Sequence, residues 1–189
     1  SSINNAIKNN KYNVKKIFDK VYLNDSANYF NEENISSDIG FFIYVPNNLS
    51  QRISITNIID QGNQKNFLNS SNFIHIGKNA NCKIIYKEKS NHLSCINNIS
   101  KIYIEDNAQL ELANITSKKN SSKQIYNCGA SLNTNAQLIY HAIDISGELI
   151  KNNYYINLDK PGSRCQFNGF NTANNKDHID NYVEIRHNN

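Results

Sequence analysis

The chain has 189 residues, of which 39% are hydrophobic and 19% charged, and it carries a formal net charge of +4. That length suits one domain with a core of its own and does not require two. The balance speaks against a charge-driven disordered tail, and no apolar run approaches the roughly 20 residues of a membrane-spanning helix.

Residues 1–38 repeat nothing. Ile3, Ile7, Val14, Ile17, Phe18, Val21 and Tyr22 fall at spacings that fit one amphipathic helix or two short ones. Asn13 and Asn24 weaken that pattern, so the segment reads as short helix or irregular chain. The character changes near Gly40. Phe41–Val45 reads as a buried strand closed by Pro46, which has no N–H for the ladder. Asn47-Asn48 then turns the chain into a second strand carrying Ile53, Ile55, Ile58 and Ile59. Residues 60–72 read as a polar loop.

From there the chain repeats itself. Around Ala108, apolar residues stand six and four places before (Ile102, Ile104) and two and four after (Leu110, Leu112), with Asn107 adjacent. Ala80 and Ala136 have the same frame, with Asn79 and Asn135 adjacent, and 108 − 80 and 136 − 108 both give 28. A fixed period in the range of about 20–50 residues marks a solenoid or array. Each unit is strand, tight turn, strand. One unit alone has no means of burying its apolar row, whereas stacking covers each row with the next. Asn tolerates the left-handed conformation that a tight turn needs, so Asn79, Asn107 and Asn135 are predicted to stack as a hydrogen-bonded ladder. A fourth, variant unit puts Gly162 at the marker position, 26 residues after Ala136, with the Cys165–Phe167 strand displaced by one residue. A loop over 174–177 and a strand around Tyr182–His187 follow, and the chain stops in mid-strand.

The period predicts an all-β solenoid over 39–189, open at its C-terminal end, behind an irregular or helical segment over 1–38. Methionine is missing even at position 1, which reads as a piece of a longer protein, and the first residues hold no signal-peptide core. About a fifth of the chain is asparagine, a composition that follows AT-rich codons.

Chemistry-bearing residues are scattered. Cys82, Cys95, Cys128 and Cys165 form no C-x-x-C pair and read as buried structural thiols in a reducing compartment. His75 lies between Ile74 and Ile76 and is predicted to point outward into solvent, while His92, His141 and His178 have no second ligand at metal spacing. The carboxylates Asp60, Glu88, Glu105, Asp106, Glu111, Asp144 and Glu148 are read at different frame positions, so no convergent acid–base pair is expected. Lysines are dispersed and arginines few, which argues against nucleic-acid binding. No catalytic, cofactor-binding or metal-ligating residue is nominated.

Two stretches carry a family resemblance. The first is Tyr22-Leu23-Asn24 followed by Gly40–Pro46. The second is Leu158-Asp159 with Pro161-Gly162, then Phe167-Asn168-Gly169-Phe170, Asp177–Asn181 and Val183–His187. In order and separation they resemble the core of the SufB/SufD family of iron–sulfur cluster assembly scaffolds, with Phe167–Phe170 and His178–Asn181 closer to SufD. The resemblance implies a right-handed parallel β-helix. It also implies a non-catalytic subunit of a SufBCD-type complex, in the cytoplasm or plastid stroma. Its partners would be a SufB-like subunit at the β-helix edge and a SufC-like ATPase held by a C-terminal region beyond this chain. The family's cluster-holding Cys–Ser–His motif also lies beyond His187, so this segment is expected to bind no cofactor itself, and an iron–sulfur cluster only within the complex. Asp180 and His187 match family positions and read as a polar pair satisfying turn backbone. The competing readings of a β-helix are a polysaccharide lyase or hydrolase and an adhesin-like solenoid.

Overall fold

In the computed structural model the described residues are 5, 6, 8, 13–21, 23, 39–59, 67–90, 95–118, 122–174 and 176–188. Among these residues eleven strands form two parallel sheets. Sheet A runs β1 (Phe42–Val45), β3 (Phe67–Ile76), β5 (Cys95–Ile104), β7 (Lys123–Leu132), β9 (Leu149–Leu158) and β11 (His178–His187). Sheet B runs β2 (Ser50–Ile59), β4 (Asn81–Ser90), β6 (Gln109–Ser117), β8 (Gln137–Ile145) and β10 (Arg164–Thr172). Odd strands stack on odd and even on even, so the chain winds as a β-solenoid of about five turns, as the period predicted. The central register confirms the repeat: Ile102 pairs with Ile74 and Ala130, and Leu110 with Cys82 and Leu138.

Side chains alternate across each strand, and the inward set near the turns is apolar. Ile76, Ile102, Ile104, Ala108, Ala130, Leu132 and Ala136 have no measurable exposure, and they join Leu110, Leu112 and Leu138 in one continuous core. The turns behave as the asparagines predict. Asn48, Asn79, Asn107 and Asn135 all have positive φ, between 55° and 61°. Each amide donates to the coil before: Asn79 Nδ2 to Asn48 Oδ1 at 2.9 Å, Asn107 to Asn79 at 3.3 Å and Asn135 to Asn107 at 3.1 Å. The ladder therefore has one rung more than the frame foretold.

Several expectations need correction, two of them in the fold itself. The run over 67–72 is strand, not loop; residues 60–66 lie outside the described residues. Its polar side chains bond across coils, Asn97 Nδ2 to Asn69 Oδ1 and Asn72 Nδ2 to Asn98 Oδ1, both at 3.2 Å, so polarity here signals interstrand bonding. Gly162 occupies the ladder position, not the marker. Cys165 pairs with Leu138 and Phe167 with Tyr140, so no strand is displaced and Ser163 stands where Ala136 does. A Cβ on Gly162, whose φ is 76°, would lie 2.1 Å from Asn135 Oδ1, so glycine is what lets this coil pass. The others, His75 among them, are described with the site.

A short helix, α1 (Val14–Phe18), lies on the outer face of sheet A. Five residues are too few to be stable alone; packing holds them. Val14 and Phe18 are buried with Phe42 and Phe73, the Phe18 and Phe73 rings meeting edge-on at 5.5 Å. Lys101, buried beneath, donates from Nζ to the Phe18 carbonyl at 3.2 Å and lies 4.2 Å from the Phe18 ring centroid, a cation at the helix C-terminus. Tyr22 lies outside the described residues; Leu23 packs against Tyr155 and Ile99.

Candidate functional site

Beyond the apolar row the interior turns polar. The register aligns Glu88, Thr116, Asp144 and Asn171 in one column across β4, β6, β8 and β10. Glu88 and Asp144 each stand eight residues after their marker alanines, so the reading that put the carboxylates at different frame positions fails for this pair. The alternating frame is apolar only as far as four residues past the marker, and the carboxylates lie beyond it.

Glu88 is 1% exposed and pairs with Lys118, whose side chain is wholly enclosed. Tyr86 Oη donates to Glu88 Oε2 at 2.8 Å, and Asn98 Nδ2 reaches the same oxygen at 3.4 Å from the opposite sheet. Desolvating two ions is costly, and these added donors are what make the buried pair tenable. Two coils further on, Asp144 accepts from Asn152 Nδ2 at 2.9 Å. With the Asn171 amide oriented to donate, it too reaches Asp144, at 3.2 Å. Burial pushes the Asp144 carboxyl up to about 6, against the opposing pull of Asn152 and Lys118. Nearer the apolar row, the hydroxyls of Tyr126 and Tyr140 lie 3.1 Å apart, and Asn114 Nδ2 donates to Tyr140 Oη at 3.2 Å. Burial raises both phenols well above their ordinary value, so they stay neutral.

The cysteines divide. Burial pushes the Cys82 thiol up to about 11, Cys128 to about 12 and Cys165 to about 11, which leaves them protonated and unreactive. Cys95, at the start of β5, is exposed and Cys165 is half-buried, contrary to the expectation that all four are buried. All four are free thiols.

His75 also departs from expectation. It points away from the inner row as predicted, yet it is only 4% exposed, because the outer face of sheet A is itself covered at this point. The rings of Tyr44 and Tyr103 approach it at 4.8 and 5.6 Å. Its Nε2 lies 2.7 Å from Glu105 Oε1, and Nδ1 has no hydrogen-bond partner among the described residues. Burial lowers its pKa, the Glu105 contact opposes this, and nearby Lys20 adds to the lowering.

Asp180 and His187 share β11 but do not meet. Asp180 stands opposite Lys151 in the register and accepts from its Nζ at 2.8 Å, which holds the carboxyl below its usual range. His187 is exposed at the strand end, so the predicted polar pair does not form. His141 and His178 are partly or fully exposed, and Asp60 and His92 lie outside the described residues. Among the described residues no group of three or more His, Cys, Asp or Glu side chains is arranged to hold a metal ion, and no helix is long and apolar enough to cross a membrane. Sequence reasoning missed the Glu88–Lys118 pair. Its signal was there: a separation of 30 residues is one coil plus one inward step.

Over residues 57–189 the chain matches the family model described as SUF system FeS cluster assembly, SufBD core domain. The match begins within β2 and takes in every later strand. No curated protein and no solved structure matches the chain.

Proposed function

Since this chain belongs to the SufBD core-domain family of the SUF iron–sulfur cluster assembly system, we propose that it serves there as a non-catalytic scaffold subunit of a SufBCD-type complex. One observation carries this reading: the buried ionisable groups are spent on joining elements together. Glu88–Lys118, Asp144–Asn152 and His75–Glu105 each bind one strand or arc to another, in the manner of staples. The parallel coils add stiffness, and strands at the ends of each sheet are bonded on one side only among the described residues. Such edges pair with a further strand by backbone hydrogen bonds.

On this reading a SufB-like subunit meets a β-helix edge and a SufC-like ATPase joins the same complex. The SufD-like character rests on Phe167–Phe170 and His178–Asn181. A nascent cluster is cargo of the assembled complex and is not held by these residues alone, and the setting is the cytoplasm or plastid stroma. The test is co-expression of the full-length protein with SufB-like and SufC-like subunits, followed by affinity capture and iron and sulfide analysis. A three-component complex that carries cluster, with no ATP hydrolysis by this subunit alone, is expected. Recovery of glycan-cleaving activity from the purified chain would overturn the scaffold reading.

A further inference from the structure

The two sheets differ on their outer faces. That of sheet A is covered near its N-terminal end, with Phe73, His75 and Lys101 buried. On sheet B no outward residue of any strand is buried. Parallel sheets rarely leave a face to water unless it is polar, and this face is polar only in part. Its N-terminal half carries Arg52, Lys83, Lys87 and Lys89 on β2 and β4, against the single carboxylate Glu111 on β6 among the described residues. Glu111 is occupied by Lys83 at 2.5 Å, and Arg52, Lys87 and Lys89 have no ion-pair partner among the described residues. The register then continues Lys87 into Ile115, Ile143 and Phe170, a column that runs from cation to apolar across four strands. Phe170 is 60% exposed, and Ile85 and Ile145 flank the column at 44% and 40%. A shallow cavity of about 460 Å³ opens at the basic end, lined by Arg52, Lys83, Ile85 and Glu111, where the small side chains of Ser54 and Ala113 leave room.

We propose that this face docks an acidic amphipathic helix of a partner protein, laid across the strands with its carboxylates over Arg52, Lys87 and Lys89 and its apolar stripe over Ile115, Ile143 and Phe170. Charge complementarity sets the acidic end, since among the described residues Arg52, Lys87 and Lys89 stand without an ion pair on β2 and β4, whereas Ile115, Ile143 and Phe170 carry no charge and Arg164 lies at the far, N-terminal end of β10. Secondary structure follows from hydrogen bonding. The surface offers side chains rather than a strand edge, so an extended segment would leave backbone groups unsatisfied over the isoleucines, whereas a helix satisfies its own. Size agrees: five strands at about 4.8 Å spacing span about 19 Å, and a helix rising 1.5 Å per residue covers that in about 13 residues. This surface is distinct from the strand edges invoked above, so either proposal stands or falls alone.

A displayed library of amphipathic helices of about 14 residues, selected on the purified protein, tests it, with phosphatidylglycerol vesicles as a second probe. Selection is expected to enrich helices bearing Glu or Asp at one end and an apolar i, i+3, i+4, i+7 stripe. A synthetic peptide of the enriched sequence is expected to bind about tenfold or more weakly to the Lys87→Glu/Lys89→Glu protein and to Phe170→Asp. Both sets of changes are at exposed positions, and circular dichroism checks that the variants fold. Failure to enrich, enrichment of basic or extended sequences, or hits indifferent to both variants would overturn the proposal. So would tight vesicle binding that the same variants abolish, which would make the face a lipid-binding one.

Discussion

Asp144→Asn is expected to stabilise the protein, and only above a definite pH. The carboxyl of Asp144 is raised from 3.8 to about 6, mainly by burial. A group whose pKa is raised on folding contributes stability that is fully present below its unfolded value and lost as pH climbs through the folded one. Below about pH 4 Asp144 is protonated in both states and behaves much as asparagine would. Between about 4 and 6 the unfolded chain releases the proton while the folded one keeps it, and wild-type stability falls. Above about 6 the loss is complete. The interval from 3.8 to about 6, at about 1.4 kcal/mol per pH unit, gives a gain for the variant of up to about 3 kcal/mol at pH 7. Asn152 keeps an acceptor, because the amide oxygen of the variant can replace Oδ2. Urea denaturation of both proteins at pH 4, 5, 6 and 7.5 reads the difference directly. A constant offset across that range, or a variant less stable at pH 7.5, would refute burial as the controlling influence.

Other outcomes follow from the same geometry. Glu88→Ala strands the enclosed Lys118 ammonium and is expected to cost about 3–5 kcal/mol, whereas Glu88→Leu combined with Lys118→Met is expected to restore most of that, as a denaturation double-mutant cycle would show. Asn107→Ala removes two rungs of the ladder and puts a Cβ-bearing residue without a compensating side chain at φ 57°; a loss of about 1–2 kcal/mol is expected, with Asn107→Gly costing less. A thiol reagent at pH 8 should label Cys95 quickly in the folded protein and reach Cys82 and Cys128 only on unfolding, which mass spectrometry of timed samples resolves.

The winding of the chain was legible because three units keep one length and one turn residue. Ile102, Ile104, Leu110 and Leu112 alternate cleanly, and Asn107 has no role that competes with the turn. What stayed hidden lies where that alternation carries polar residues. Asn72 and Asn98 face inward like the isoleucines beside them, yet the polar run that ends at Asn72 looks like loop in sequence, and only the facing coil shows that the two amides are paired. The burial of His75 depends on residues some thirty or more positions away, Tyr44 among them, which no local pattern announces. Gly162 was misplaced because its turn has one residue more than those before it, and a count of fixed offsets has no means of seeing an insertion.

The asparagine ladder has a direction. Every rung donates toward the preceding coil and accepts from the following one, so the amide dipoles of Asn48, Asn79, Asn107 and Asn135 add along the axis. The stack thus has a chemical head and tail, with a donor turned outward at Asn48 and an acceptor at Asn135, where Gly162 interrupts the series. A lesion in it is correspondingly one-sided. Conversion of Asn107 to aspartate, as by deamidation, would keep the acceptor used by Asn135 and delete the donor that serves Asn79, so the coils would loosen on the N-terminal side of the damage and hold on the other.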